Sequence, residues 1–190
     1  MINQNPKGLK NVTCAFTGHR PIKYPWRYHE EDPNCINLKR RLENEMLRLI
    51  EIGVTTFLSG MAEGTDTWGA LTVLNLRKTY PYLKLVCVLP CEDQAARWSE
   101  HSKKCYFSIL EQADEIIYTG RDHTKTCMME RNRFLVDHAT YLLAVYNGEK
   151  QGGTAATVRY AKKQARTIII LDPNEPIIKQ VALSSDLFHW

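Results

Sequence analysis

Six short apolar runs, rich in β-branched and aromatic residues, punctuate the chain at 12–17, 54–59, 83–90, 115–118, 141–146 and 167–171. Between them, apolar positions recur every three or four residues over 36–52, 64–79, 99–112, 128–138 and 154–165. The first spacing belongs to strands and the second to amphipathic helices. The strand runs are continuous rather than alternating, which is the pattern of strands buried on both faces. Strand and helix in strict alternation predict an α/β, Rossmann-like, doubly wound fold: a mainly parallel sheet with helices on both faces. Repeats, low-complexity tracts and linkers are absent from the pattern, so residues 1–190 are expected to form a single domain.

In a doubly wound sheet, ligands bind beyond the carboxyl ends of the strands. That rule gathers the glycine-rich turns of this chain onto one rim. The first run leads into Thr17-Gly18-His19-Arg20-Pro21 and the second into Ser59-Gly60, with Glu63, Gly64 and Asp66 just beyond. The fifth leads through Asn147-Gly148 to Gly152-Gly153-Thr154. A strand, a glycine turn and a helix start aim free backbone N–H groups and the positive helix end at one point, which suits an anion. Two such corners, at 59–66 and 152–154, predict a shared phosphate-holding pocket. The plainer reading makes each a tight turn, with Asp66 or Thr154 capping its helix.

Three further features bear on that pocket. The connection from Thr17 to about Asn34 is long and carries Tyr24, Trp26, Arg27, Tyr28 and His29. It is read either as a cover that stacks on a base or as a flap packing its own aromatics. In Glu130-Arg131-Asn132-Arg133, two arginines a spacing of two apart cannot share a helix face, so one is expected at the rim and one outward. Arg159, Lys162, Lys163 and Arg166 make the last helix basic, which reads mainly as a solvated face.

Composition narrows the picture only slightly. A net charge of +4 is too small to argue for nucleic acid by itself. No run is long enough to span a membrane, and residues 1–11 are too polar for a signal peptide. The six cysteines show no metal-ligand spacing and read as reduced thiols of a cytoplasmic protein, Cys14 and Cys87 as small buried hydrophobes. His19 and His29 near Glu30, Glu31 and Asp32 also lack ligand spacing. Neither metal nor cofactor is expected. The apolar tail end, Leu187, Phe188 and Trp190, is expected to pack on the body or on a partner.

Taken together, Thr17-Gly18-His19-Arg20-Pro21, the Ser59-Gly60…Gly64…Asp66 turn, Arg131-Asn132-Arg133 and Gly152-Gly153-Thr154 resemble the SLOG superfamily, in particular its YpsA-like branch of bacterial proteins. The resemblance spans about residues 12–171. It implies a nucleotide-like small-molecule partner and a homodimer. Related cores point two ways. DNA-processing protein A, which binds single-stranded DNA, has a similar Ser-Gly turn and Arg-Asn-Arg element. The LOG phosphoribohydrolases, which cleave the base from nucleoside 5′-monophosphates, have a Glu-Arg pair like Glu130-Arg131 and a glycine–threonine turn like 152–154. In the LOG pattern a carboxylate follows that turn, where this chain has Thr157. A hydroxyl cannot take its charge-stabilising role. Glu63, Asp66 and Asp137 are the carboxylates that would have to substitute. The leading expectation is therefore binding of a nucleotide or nucleotide-derived ligand at the rim, with the role of a sensor module. Its ligand set is Thr17, Gly18, His19, Arg20, Ser59, Gly60, Glu63, Gly64, Asp66, Arg131, Asn132, Gly152, Gly153 and Thr154. Arg131, Glu130 and Asp66 are the catalytic candidates if N-glycosidic cleavage occurs, and single-stranded nucleic-acid binding is the third reading.

Overall fold

A computed structural model describes residues 12–175. The tail residues 183–190 lie outside that range. Six strands form one sheet: β1 (Val12–Gly18), β2 (Val54–Ser59), β3 (Lys84–Leu89), β4 (Glu115–Tyr118), β5 (Tyr141–Val145) and β6 (Thr167–Leu171). All neighbours pair parallel, in the order β4-β3-β2-β1-β5-β6. The doubly wound parallel sheet predicted from the alternation is the fold observed.

The helices are α1 (Pro33–Glu51), α2 (Thr65–Leu76), α3 (Glu100–Leu110), α4 (Cys127–Asp137) and α5 (Gly153–Lys163). Two separate cores record the two covered faces. On one, Leu38, Leu42, Met46 and Leu49 of α1, Trp68 and Val73 of α2, and Tyr106 and Ile109 of α3 pack on Phe16 and Phe57. On the other, Leu135 and Val136 of α4 and Val158 and Ala161 of α5 pack on Ala15, Leu58, Val86 and Ala144. Alternate strand residues thus feed opposite cores, as the pleat requires. Each fully buried Leu or Phe contributes about 1.5–3 kcal/mol.

Helix α1 begins earlier than periodicity suggests. Asp32 caps it by accepting from Asn34 N at 2.8 Å, and Pro33 fills the first helical position, where no N–H is needed. Among the described residues, no helix is long and apolar enough to cross a membrane. All six cysteines are free, and burial pushes the Cys14 and Cys87 thiols up to about 12.

The strand order fixes where a ligand can sit. From β1 the chain runs outward through β2, β3 and β4, then returns to the other side of β1 for β5 and β6. The loops after β1 and β5 therefore diverge, opening a crevice at this switch point.

Candidate functional site

A hollow of about 300 Å³ lies in that crevice. Its walls come mainly from four segments: Thr17 and Gly18 at the end of β1 with His19 and Arg20 just beyond; Ala62 ahead of α2 and Asp66 in its first turn; Arg131 and Asn132 on α4; and Gly152, Gly153 and Thr154 at the start of α5. Turns about ninety residues apart in sequence thus meet at one place. Ser59, Gly60, Glu63 and Gly64, expected among the ligand contacts, do not line it, and neither does Glu130, which is exposed.

The reason is that the first glycine corner is filled from within. Arg131, only 3% exposed, reaches down from α4 and donates Nη1 to the Gly60 carbonyl. A Cβ on Gly60 would fall 1.6 Å from that Nη1, so glycine is what lets the guanidinium in. The same nitrogen lies 3.5 Å from Asp66 Oδ2, and that oxygen accepts from Ala62 N at 3.3 Å. Ser59 Oγ accepts from Met61 N and donates to the Asp66 carbonyl. Gln94 Nε2 donates to the Met61 carbonyl at 2.7 Å and to that of Gly60 at 3.2 Å. These bonds hold Met61 at φ 56°, a left-handed conformation that costs a non-glycine residue about 1–2 kcal/mol. The expectation that N–H groups near Gly60 grip a phosphate is corrected: a guanidinium already occupies that space. Gly64 (φ 93°) is likewise covered, its missing Cβ 3.0 Å from the His19 carbonyl.

Burial dominates the charges of this pair. It holds the Asp66 carboxyl above its usual range, with Arg131 pulling it part of the way back, and it lowers Arg131 while Asp66 opposes. Arg131 Nε is buried without a partner. Arg20 stands exposed at the mouth of the hollow, near enough to act on both charges.

The second glycine corner is open. Gly152 caps α5 at φ 101°, and no side chain bonds the helix start. The first backbone bond of the helix runs from Ala156 N to Gly152 O at 3.0 Å, so the N–H groups of Gly153, Thr154 and Ala155 precede the ladder. A Cβ at Gly152 or Gly153 would meet nothing within 4 Å. Thr154 is inside the helix rather than its cap, because Gly152 takes that position. Arg159 steadies the loop by donating to the Lys150 carbonyl at 2.7 Å. Thr157 donates to the Gly153 carbonyl at 2.9 Å, a bond within its own helix.

Between the two corners runs a polar strap. His19, 7% exposed, donates Nε2 to Asn147 Oδ1 at 2.9 Å. Asn147 Nδ2 donates to Glu149 Oε1, and Lys23 pairs with Glu149 Oε2, both at 3.2 Å. Gln94, Lys23 and Glu149 carry no local motif, and only the Asn147-Gly148 turn pointed toward this region.

The aromatic segment after β1 packs its own rings instead of covering the hollow. Tyr24 stacks between Trp26 and Trp68, at 5.0 and 5.6 Å, and its hydroxyl bonds Thr65 Oγ1 at 2.8 Å. Tyr28 stays exposed. The two arginines divide as expected: Arg131 faces the rim, and Arg133 lies outward over the Tyr160 ring. Asp137 bonds Tyr160 and does not line the hollow. Among the described residues, no cluster of three His, Cys, Asp or Glu could hold a metal ion.

Residues 14–174 match a family described as the YspA SLOG family. A UPF0398 protein of Bacillus pumilus is 29% identical, over 92% of this chain and 94% of its own. UPF0398 protein YpsA of Bacillus subtilis is 27% identical, over 79% of this chain and 84% of its own. Among solved structures, DNA processing protein A from Helicobacter pylori, described for its single-stranded DNA binding mode, is similar with a TM-score of 0.59 at 15% identity. That match covers 89% of this chain and 68% of the other, and it is a likeness of fold.

Proposed function

The chain belongs to the YspA SLOG family, and from that premise we propose that it binds a nucleotide or nucleotide-derived ligand at the switch-point rim. The observation that carries this reading is the open start of α5 facing Arg131 and Asp66 across one hollow. The phosphate sits on the N–H groups of Gly153, Thr154 and Ala155, where the helix end favours negative charge. Arg20, exposed at the mouth, adds a solvent-facing cation. Arg131 acts differently from the sequence expectation. Bonded to Gly60 and Asp66, it supplies a fixed positive wall and does not wrap the phosphate. Asp66 then offers an acceptor to a ribose hydroxyl or a base amino group.

The test is a thermal-shift titration over nucleotides, repeated on Gly153→Glu. A ligand at 100 times its Kd stabilises by about 2.7 kcal/mol, so the wild type melts several degrees higher. The variant adds a carboxylate where space is open and the helix end tolerates it, so it stays folded but loses the shift. Folded wild type that responds to no nucleotide defeats the reading.

A second reading, cleavage of the base from a nucleoside 5′-monophosphate, has one observation in its favour: Asp66 is a hollow-lining carboxyl that burial biases toward its protonated, acid form. It predicts free base released in the same titrations. Binding of single-stranded nucleic acid predicts instead oligonucleotide retention that weakens steeply with salt.

A further inference from the structure

The sheet ends on one side at β4, and among the described residues nothing pairs with its outer edge. Such an edge presents unpaired backbone donors and acceptors to any second strand. Asp114 N donates to the Leu85 carbonyl of β3, which sets the alternation. Residues 114, 116 and 118 turn their backbone groups toward β3, so Glu115 and Ile117 turn theirs outward. Lysine, proline and glycine, which commonly blunt an edge, are absent from Glu115-Ile116-Ile117-Tyr118.

The side chains beside this edge are apolar. Ile117 packs toward the core under α4 and α5, so Ile116 and Tyr118 lie on the opposite, α3 face. They are 40% and 49% exposed, and Phe107 of α3 is 55% exposed. Tyr106 joins them: its ring meets that of Phe107 edge-on at 5.3 Å, and Tyr118 stands near enough to act on its hydroxyl. Contiguous apolar exposure of this kind marks an interaction surface.

We propose that a second copy of this chain pairs with β4 edge to edge, antiparallel, about a two-fold axis through Ile117. Three features select this occupant and this register. Ile117 exchanges its outward N–H and C=O with Ile117 of the second copy, a hydrogen-bonded pair at the axis. Ile116 then stands opposite Tyr118 of the second copy, twice over, in the closer non-hydrogen-bonded pairs, where an aromatic against a β-branched side chain is favourable. Glu115 comes opposite Thr119 of the second copy, which sets the exposed Arg121 diagonally across on the same face, within reach of a long side chain. The strand therefore complements itself in shape and charge, and the contact closes as a two-fold dimer must. Strand β1 lies three places along the sheet from β4, so the switch-point hollow is outside the contact and the nucleotide reading is tested separately.

Sedimentation of the full chain over a concentration series across the micromolar range tests this. Wild type shifts reversibly from one chain mass to two. Ile116→Lys combined with Tyr118→Lys, both at exposed positions, sets lysine opposite lysine in each cross-strand pair. That variant keeps its fold by circular dichroism and dimerises about tenfold or more weakly. Glu115→Arg alone weakens the dimer several-fold by facing Arg121, and adding Arg121→Glu restores it. Ile170→Lys, on the opposite edge strand β6, leaves the dimer as it is. A chain that stays monomeric throughout, a dimer that the two lysines leave intact, or a dimer that Ile170→Lys dissociates overturns the proposal. So does a charge reversal at Glu115 that Arg121→Glu fails to rescue.

Discussion

The two glycine corners follow the same local plan of strand, glycines and helix, yet one is shut and the other open. At Gly60 a long side chain from a distant helix fills the room that glycine leaves. At Gly152 and Gly153 nothing approaches within 4 Å. The first corner is thus a structural socket for a cation, and the second a free helix end. A missing side chain signals close approach, but whether the approaching group is a ligand or the protein itself depends on residues far away in sequence.

Removing the cation should break the contrast most violently. Arg131→Ala leaves Asp66 buried without its partner, a loss of about 3–5 kcal/mol at neutral pH. The pH dependence has a definite sign. Burial already holds the folded-state Asp66 pKa above its unfolded value, and without Arg131 it climbs further. An acid raised on folding costs stability as pH rises through the window between those values. The penalty therefore shrinks as pH falls: urea midpoints of variant and wild type should converge as pH is lowered from neutral toward the ordinary carboxylate range. A gap that stays constant would show that Asp66 is not the charge Arg131 balances.

Gly60→Ala comes next. Its Cβ displaces Nη1 from the Gly60 carbonyl and from Asp66, costing about 2 kcal/mol. If the socket explanation holds, most of that cost vanishes in an Arg131→Ala background, giving a coupling of about 1 kcal/mol or more in a double-mutant cycle. Additive losses would mean that glycine serves the backbone here, not the guanidinium.

Much of this molecule was legible before its coordinates. Unbroken apolar runs such as Leu85–Leu89 can only be strands covered on both faces, and their alternation with helices dictated the sheet. The rim followed, because strand ends in such a sheet face one way. What stayed hidden was the use of each rim residue. Arg131 looks like a phosphate ligand in any local window, and only the packing of α4 shows it turned into Gly60. Tyr24 and Trp26 read equally as a base-stacking cover or as core, and Trp68 decided for core by stacking on Tyr24. Gln94 sits in an unremarkable turn and became important only because Met61 needed its carbonyl held. Tertiary contacts, invisible to spacing, made each of these choices.

The open corner allows a smaller and sharper comparison between adjacent glycines. Gly152 stands at φ 101°, ψ 172°, a region nearly closed to L side chains, so Gly152→Ala should cost about 1–3 kcal/mol although its Cβ touches nothing. Gly153 has no such backbone demand and lies at the first helical position. Gly153→Ala should stay within about 0.5 kcal/mol of wild type, on the stabilising side if helix propensity decides. Neither effect should change when Arg131→Ala is added, because strain in a backbone dihedral has no partner to lose. Denaturant unfolding of the three single and two double variants measures this. Dependence of the Gly152 cost on Arg131 would mean that the two corners are mechanically linked through the hollow, and that the open one is not independent of the plug in the other.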